Sequence, residues 1–302
     1  MMLQTRTPPH SLRLHHQVFW QVGVFISFIC AFLVSAMQGA TGGRVVFAIL
    51  TVFAVIAWLW RLLSPTFRRF HEAADVRDAA RPAIVGNGKV SVTKVLFGAD
   101  KKVLLTYFLA IVIFYVGWNL LANTWGQFQT YMFSKAGAAQ SLATGLGIIL
   151  NFVTLVLNIV FASIAGGKYR NKAFFAGIVI SLIAMAAMAM GGANLWVIVG
   201  ATAFMNLGSP LAGEALYKVW TQESFPIEIR ASIQGFINGF SRLCCGLFAL
   251  ITPALVLPET IQTTMWCFFG IVIIEGIAGT IMIRAQKKYG TTKKRQARKI
   301  AA

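Results

Sequence analysis

The chain has 302 residues, of which 57% are hydrophobic and 12% charged, and its formal net charge is +18. That balance excludes an ordinary soluble domain, and the charge is gathered in a few segments between long apolar runs instead of being spread over a surface. Topogenic charge facing anionic lipid headgroups is therefore expected, and nucleic acid is not an expected partner.

Eight apolar runs follow in chain order, at 18–37, 45–63, 103–122, 142–165, 173–190, 195–220, 233–257 and 263–283. At about 1.5 Å per residue, each can cross the roughly 30 Å of hydrocarbon in a bilayer. Each must be helical, because lipid offers the backbone no hydrogen-bond partner. The first run is too long for a signal peptide and ends on a poor cleavage site, Ser35-Ala36, so it is expected to remain as the first helix. Basic residues alternate strictly between the loops. One side collects Arg6, Arg13, the nine from Arg61 to Lys102, Lys168, Arg170, Lys172, Arg230 and the eight from Arg284 to Lys299. The other side has only Arg44 and Lys135. The positive-inside rule then places both termini in the cytoplasm.

The second and third runs are separated by a polar stretch, 64–102, read as a cytoplasmic linker with a short surface helix over 67–80. Gly208 with Pro210 interrupts the sixth run, and Pro253 sits late in the seventh. Such breaks are tolerated where helices pack closely or line a cavity. Cys30, Cys244, Cys245 and Cys267 all fall inside spans without metal-ligand spacing, and inert thiols are expected. Neither a nucleotide-binding loop nor a catalytic constellation is present, so an enzyme, a cofactor and a metal are not expected.

Polar groups inside the spans carry the chemistry. Trp118, Asn119, Asn123, Trp125, Gln127 and Gln129 supply amides and rings in the third span and its extension, and Asn119, Asn123 and Gln127 share one helical face. Amides bind hydroxyls and aromatic faces cover C–H surfaces, the two needs of a polyol. Trp125 and Tyr131 lie late in the span, where interfacial anchoring is the competing explanation. Asn151 and Asn158, two turns apart in the fourth span, fit interhelical hydrogen bonding as well as ligand binding, and so do Asn206 and Asn238. Four ionisable groups lie within spans: Glu214, Lys218, Arg242 and Glu275. Glu214 and Lys218 are four apart in the order that favours pairing, and Arg242 can snorkel towards Glu214. A structural charge cluster is the first reading of these three, and proton coupling through Glu214 the second. Glu275 has no sequence neighbour to neutralise it and is expected to be protonated.

Three cytoplasmic loops carry a family likeness. Glu223-Ser224-Phe225-Pro226-Ile227-Glu228-Ile229-Arg230 resembles the Glu-x-Phe-Pro-x-x-x-Arg loop of sugar porters in the major facilitator superfamily. Lys168-Tyr169-Arg170-Asn171-Lys172 stands where that family has Asp-x-x-Gly-Arg-Arg, without the acid and the glycine. Trp60-Arg61-Leu62-Leu63-Ser64-Pro65-Thr66-Phe67-Arg68-Arg69 stands where it has Pro-Glu-Ser-Pro-Arg-Trp, with Leu63 in place of the glutamate. The segments 123–131 and 220–226 look like bacterial myo-inositol and related polyol carriers.

The resemblance implies an all-α polytopic fold indexed as helices five to twelve of twelve. Residues 1–63 would be the last two helices of an N-terminal bundle, 64–102 the linker, 103–283 a complete C-terminal six-helix bundle and 284–302 a basic cytoplasmic tail. It implies alternating-access transport of a sugar or polyol in a bacterial inner membrane, with Glu223 and Arg230 in a charge network that latches the two halves. Asn123 matches a family sugar-binding Asn, whereas the family's Gln-Gln pair is replaced by Gly117-Trp118. With four helices lacking, a non-transporting remnant, a mis-started fragment, and a subunit completed by oligomerising stay open, as does a carrier of organic or aromatic acids. The pattern specifies no oligomeric state.

Overall fold

The computed structural model describes residues 22–27, 29–30, 32–33, 40–65, 72 and 92–291, less 166, 192, 193, 256 and 258. The surface helix expected over 67–80, most of the linker and the tail beyond 291 lie outside the described residues, as does part of the first span. The described residues are largely helical, with no strand among them. In chain order the helices are α1 (Ala40–Leu63), α2 (Val92–Leu96), α3 (Lys101–Lys135), α4 (Gln140–Ile164) and α5 (Arg170–Gly191). After these come α6 (Leu195–Gly208), α7 (Glu214–Ser224), α8 (Ile227–Ala249), α9 (Thr252–Leu255) and α10 (Ile261–Tyr289). Among the described residues, five of them (α1, α3, α4, α5 and α10) are long and apolar enough to cross a membrane.

The helices depart from the bounds of the apolar runs, and the sixth does so at the Gly208–Pro210 interruption expected there. The sixth is not one rod of 195–220 but α6 followed by α7, parted at residues 209–213. Pro210 has no N–H to continue the ladder, and the turn closes instead through Leu211 and Ala212 N–H donating to Gly208 O at 3.0 and 3.2 Å. The seventh begins at Ile227, not 233, because Pro226 caps the helix with extended backbone (φ −57°, ψ 149°). Glu228 and Arg230 lower the hydropathy of that first turn without preventing helix formation. α3 likewise runs on to Lys135, past the apolar limit at 122.

α10 packs on α3 and α5, α5 on α6, and α8 on α3. An aromatic cluster fills the centre: Phe114 and Phe174 set their rings edge-on to Trp220 at 5.0 and 5.7 Å between centroids. Close approach of helices rests on glycine at two points. A Cβ at Gly177 would lie 2.9 Å from Gly208 O and 2.9 Å from Ala212 N, and one at Gly279 would collide with the Cζ edge of the Phe174 ring. These contacts are what small residues allow inside a membrane bundle, where association rests on van der Waals fit. α1 is different. None of its apolar window is buried, and Phe47, Trp58 and Trp60 stand exposed.

Candidate functional site

The polar groups of α3, of the α6–α7 break and of α8 meet in one seam. Tyr115 stacks on Tyr217 of α7 with centroids 3.9 Å apart and planes 15° apart, and Trp118 extends the stack at 5.8 Å. Trp118 Nε1 donates to Ser209 Oγ at 3.0 Å, so the indole is fixed against the broken helix. Gly213 permits this: a Cβ there would lie 2.6 Å from Trp118 Nε1. The tyrosine hydroxyls reach α8, Tyr115 to Asn238 Oδ1 at 3.3 Å and Tyr217 to the carbonyl of Gln234 at 2.9 Å.

One turn further along α3 the amides form a chain. Asn119 Nδ2 donates to Ser241 Oγ at 2.8 Å, and Asn123 Nδ2 donates to Asn119 Oδ1 at 2.7 Å. Arg242 Nη1 donates to Asn123 Oδ1 at 3.4 Å, and Asn123 Nδ2 also approaches Cys245 Sγ at 3.5 Å. A cavity of about 10 Å³, room for one water, adjoins Asn123, Thr124, Cys245 and Thr252. Asn119 is 1% exposed, whereas Asn238 and Arg242 stand on the open face of α8. The seam thus sets a buried stack of tyrosines behind Trp118 and Asn123, which are half-buried, and Asn238 and Arg242, which are exposed.

Arg242 departs from the expected charge cluster. Glu214 and Lys218 pair at 2.9 Å along α7, but the hydrogen bond of Arg242 goes to Asn123 across the α3–α8 interface. The reason is position: Asn123 and Arg242 face each other between two packed helices. Arg242 thus stands at the edge of the seam, and the Glu214–Lys218 pair lies along α7.

Other candidates lie elsewhere. Asn151 and Asn158 are on α4, and their amides donate to carbonyls of their own helix, Gly147 O and Thr154 O, each at 2.9 Å. Asn206 on α6 has its Nδ2 buried with no hydrogen-bond partner among the described residues, and Gln129 Nε2 on α3 is in the same condition. The side chains of Trp125 and Gln127 lie outside what the structure describes. Glu275 is buried on α10 beside Gly117, where a Cβ would sit 3.7 Å from its own Cβ. Sequence reasoning missed Tyr115, Ser209, Tyr217 and Ser241. Tyr115 and Tyr217 precede Asn119 and Thr221 by one turn, but nothing in the chain pairs helices across a hundred residues.

A second polar cluster joins the loops at the opposite end of α7. Arg170 Nη1 donates to Glu223 Oε1 at 2.9 Å, and Gln286 Nε2 donates to Glu223 Oε2 at 3.3 Å and to Ser224 Oγ at 3.2 Å. Three segments distant in sequence converge on one carboxylate. Arg230 takes another part: its Nε and Nη2 donate to the Phe225 carbonyl at 3.3 and 3.0 Å, closing the turn before α8. The positive charge of the 168–172 loop, carried by Arg170, is the partner Glu223 has here.

No family model matches the chain. Over 278 residues it is 25% identical to the minor myo-inositol transporter IolF of Bacillus subtilis (strain 168), an alignment covering 88% of this chain. The chain spans 60% of that relative's length. The similarity agrees with the resemblance carried by the cytoplasmic loops. Taken with the apolar helices, it makes this chain an all-helical, multi-pass membrane protein homologous to a myo-inositol transporter.

Proposed function

We propose that the chain is the part of a secondary carrier that holds one wall of its polyol site, and that the carrier moves a myo-inositol-like polyol or sugar by alternating access. The wall is the seam of Tyr115, Trp118, Asn119, Asn123, Asn238 and Arg242. The observation that carries the reading is the row of accessible groups at the α3–α8 seam, Trp118 and Asn123 half-buried and Asn238 and Arg242 exposed, held in place by the buried Asn119 and the buried Tyr115–Tyr217 stack behind them. The name of the relative points to the same ligand class. Glu223, Arg170 and Gln286 serve as the gate at the basic end of the bundle, which is the cytoplasmic end by the positive-inside rule. Residues 1–63 belong to a first bundle and 103–283 form a second. Both termini face the cytoplasm of a bacterial inner membrane.

A single wall offers a few hydrogen bonds, each contributing about 0.5–1.5 kcal/mol net. Association costs at least about 4 kcal/mol of ligand freedom. The 302-residue chain alone should therefore bind polyol at millimolar concentrations or more weakly. The test is uptake of radiolabelled myo-inositol into proteoliposomes by a chimaera in which this chain follows four N-terminal helices taken from the Bacillus relative. Saturable uptake that Asn123→Ala reduces at least tenfold is expected. Uptake unaffected by Asn123→Ala, or saturable uptake of an aromatic acid but not of any polyol, would overturn the reading.

A further inference from the structure

A cleft of about 400 Å³ runs between α3 and α10 on the outside of the bundle, away from the polyol wall. Thr106, Leu109, Ala110 and Ile113 line one side, and Ile274, Ile277, Ala278 and Ile281 the other. Each set falls on one helical stripe, and Ala110 and Ala278 make the hollow between rows of larger side chains. From Thr106 to Ile113 is about 10 Å of helix rise, most of the roughly 15 Å thickness of one leaflet's hydrocarbon.

The two stripes continue into basic residues. Lys102 stands four residues before Thr106, and Arg284 and Lys288 stand three and seven after Ile281. All three are exposed. Lys101 and Lys287 flank them, against one neighbouring acid, Asp100. An apolar slot as long as one leaflet is deep therefore opens into a cluster of cations at headgroup level.

We infer that this cleft is a binding site for an anionic phospholipid, with an acyl chain between Ile113 and Ile274 and the phosphate on Lys102, Arg284 and Lys288. Charge decides the occupant. A second copy of the chain docking here about a two-fold axis would bring the same cations into its own rim, and like charges there repel. A zwitterionic lipid fills the slot but gains little from the cations, whereas an anionic headgroup gains from each.

The experiment is native mass spectrometry of the 302-residue chain purified in detergent and incubated with equal amounts of phosphatidylglycerol and phosphatidylcholine. Preferential retention of phosphatidylglycerol is expected, and Lys102→Gln and Arg284→Gln should each cut the preference about fivefold, the equivalent of about 1 kcal/mol per basic residue. Ala278→Phe, which fills the slot, should lower retention of both lipids and leave the helical circular dichroism unchanged. Lys135→Gln, at the other end of α3, should change nothing. Equal retention of the two lipids, a preference insensitive to Lys102 and Arg284, or displacement of lipid by a dimer of the chain would overturn the assignment.

Discussion

The carboxylate of Glu223 gathers Arg170, Gln286 and Ser224, and its coupling to Arg170 can be worked from the geometry. The Nη1–Oε1 distance is 2.9 Å, and the side chains of Arg170 and Glu223 are 16% and 20% exposed. A hydrogen bond to a charged group contributes about 1.5–3 kcal/mol net, and a fully exposed ion pair about 0.2–1 kcal/mol. Partial exposure places this pair between the two, at a coupling of about 1–2 kcal/mol. The perturbation is a double-mutant cycle of Arg170→Gln, Glu223→Gln and both together. Glu223→Gln keeps an oxygen for Gln286, so the cycle isolates the ionic part. Unfolding of each variant would be followed by tryptophan fluorescence in mixed micelles of rising dodecyl sulfate content. A coupling energy of at least 1 kcal/mol is expected, with the double variant no less stable than the sum of the singles predicts. A coupling below about 0.5 kcal/mol, the scatter of independent sites, would refute the reasoning.

Glycine substitutions should divide sharply: Gly177→Ala, whose Cβ meets backbone atoms at 2.9 Å, should destabilise by about 1–3 kcal/mol, while Gly270→Ala, with nothing within 4 Å, should be neutral or stabilising by up to about 1 kcal/mol in the same unfolding assay. Asn119→Ala removes a buried amide that donates to Ser241 and accepts from Asn123, and should cost about 1–3 kcal/mol, whereas Asn158→Ala, whose amide donates only one turn back, should cost less. Reporter fusions after Gly86, Gly137 and Ala302 should read cytoplasmic, external and cytoplasmic in turn, and a cytoplasmic signal at Gly137, in the turn after α3, would break the predicted alternation.

Much of the helical layout could be read from hydropathy, because a lipid-spanning segment must close its own backbone hydrogen bonds. The parts that escaped were those in which polarity and helicity part company. Residues 123–135 remain in α3 although amides interrupt the apolar run, and the first turn of α8 is helical although it carries Arg230. The break at Gly208 and Pro210 was visible because both residues act on the backbone itself. For the site, the face shared by Asn119 and Asn123 was legible from spacing alone. Their partners were not, since Ser241 and Arg242 come to them across 122 and 119 residues. Glu223 and Arg230 stood out as a motif, yet the geometry gives Glu223 to Arg170 and turns Arg230 to a loop carbonyl, a choice made by how α5, α7 and α10 converge.

α7 is an eleven-residue rod, about 15 Å long, with nothing helical joining it to α6. Tyr217 near one end belongs to the aromatic wall, and Glu223 at the other holds Arg170 and Gln286. A helix of three turns is stiff, so a movement of α7 about the gap at residues 209–213 would carry both ends together. A tilt of about ten degrees at the wall would swing the far end by about 2.6 Å over that length, enough to part a hydrogen bond of 2.9 Å. The wall and the carboxylate are then not two independent parts. Were α7 to tilt as a unit, the stacked rings and the contacts of Glu223 would shift together.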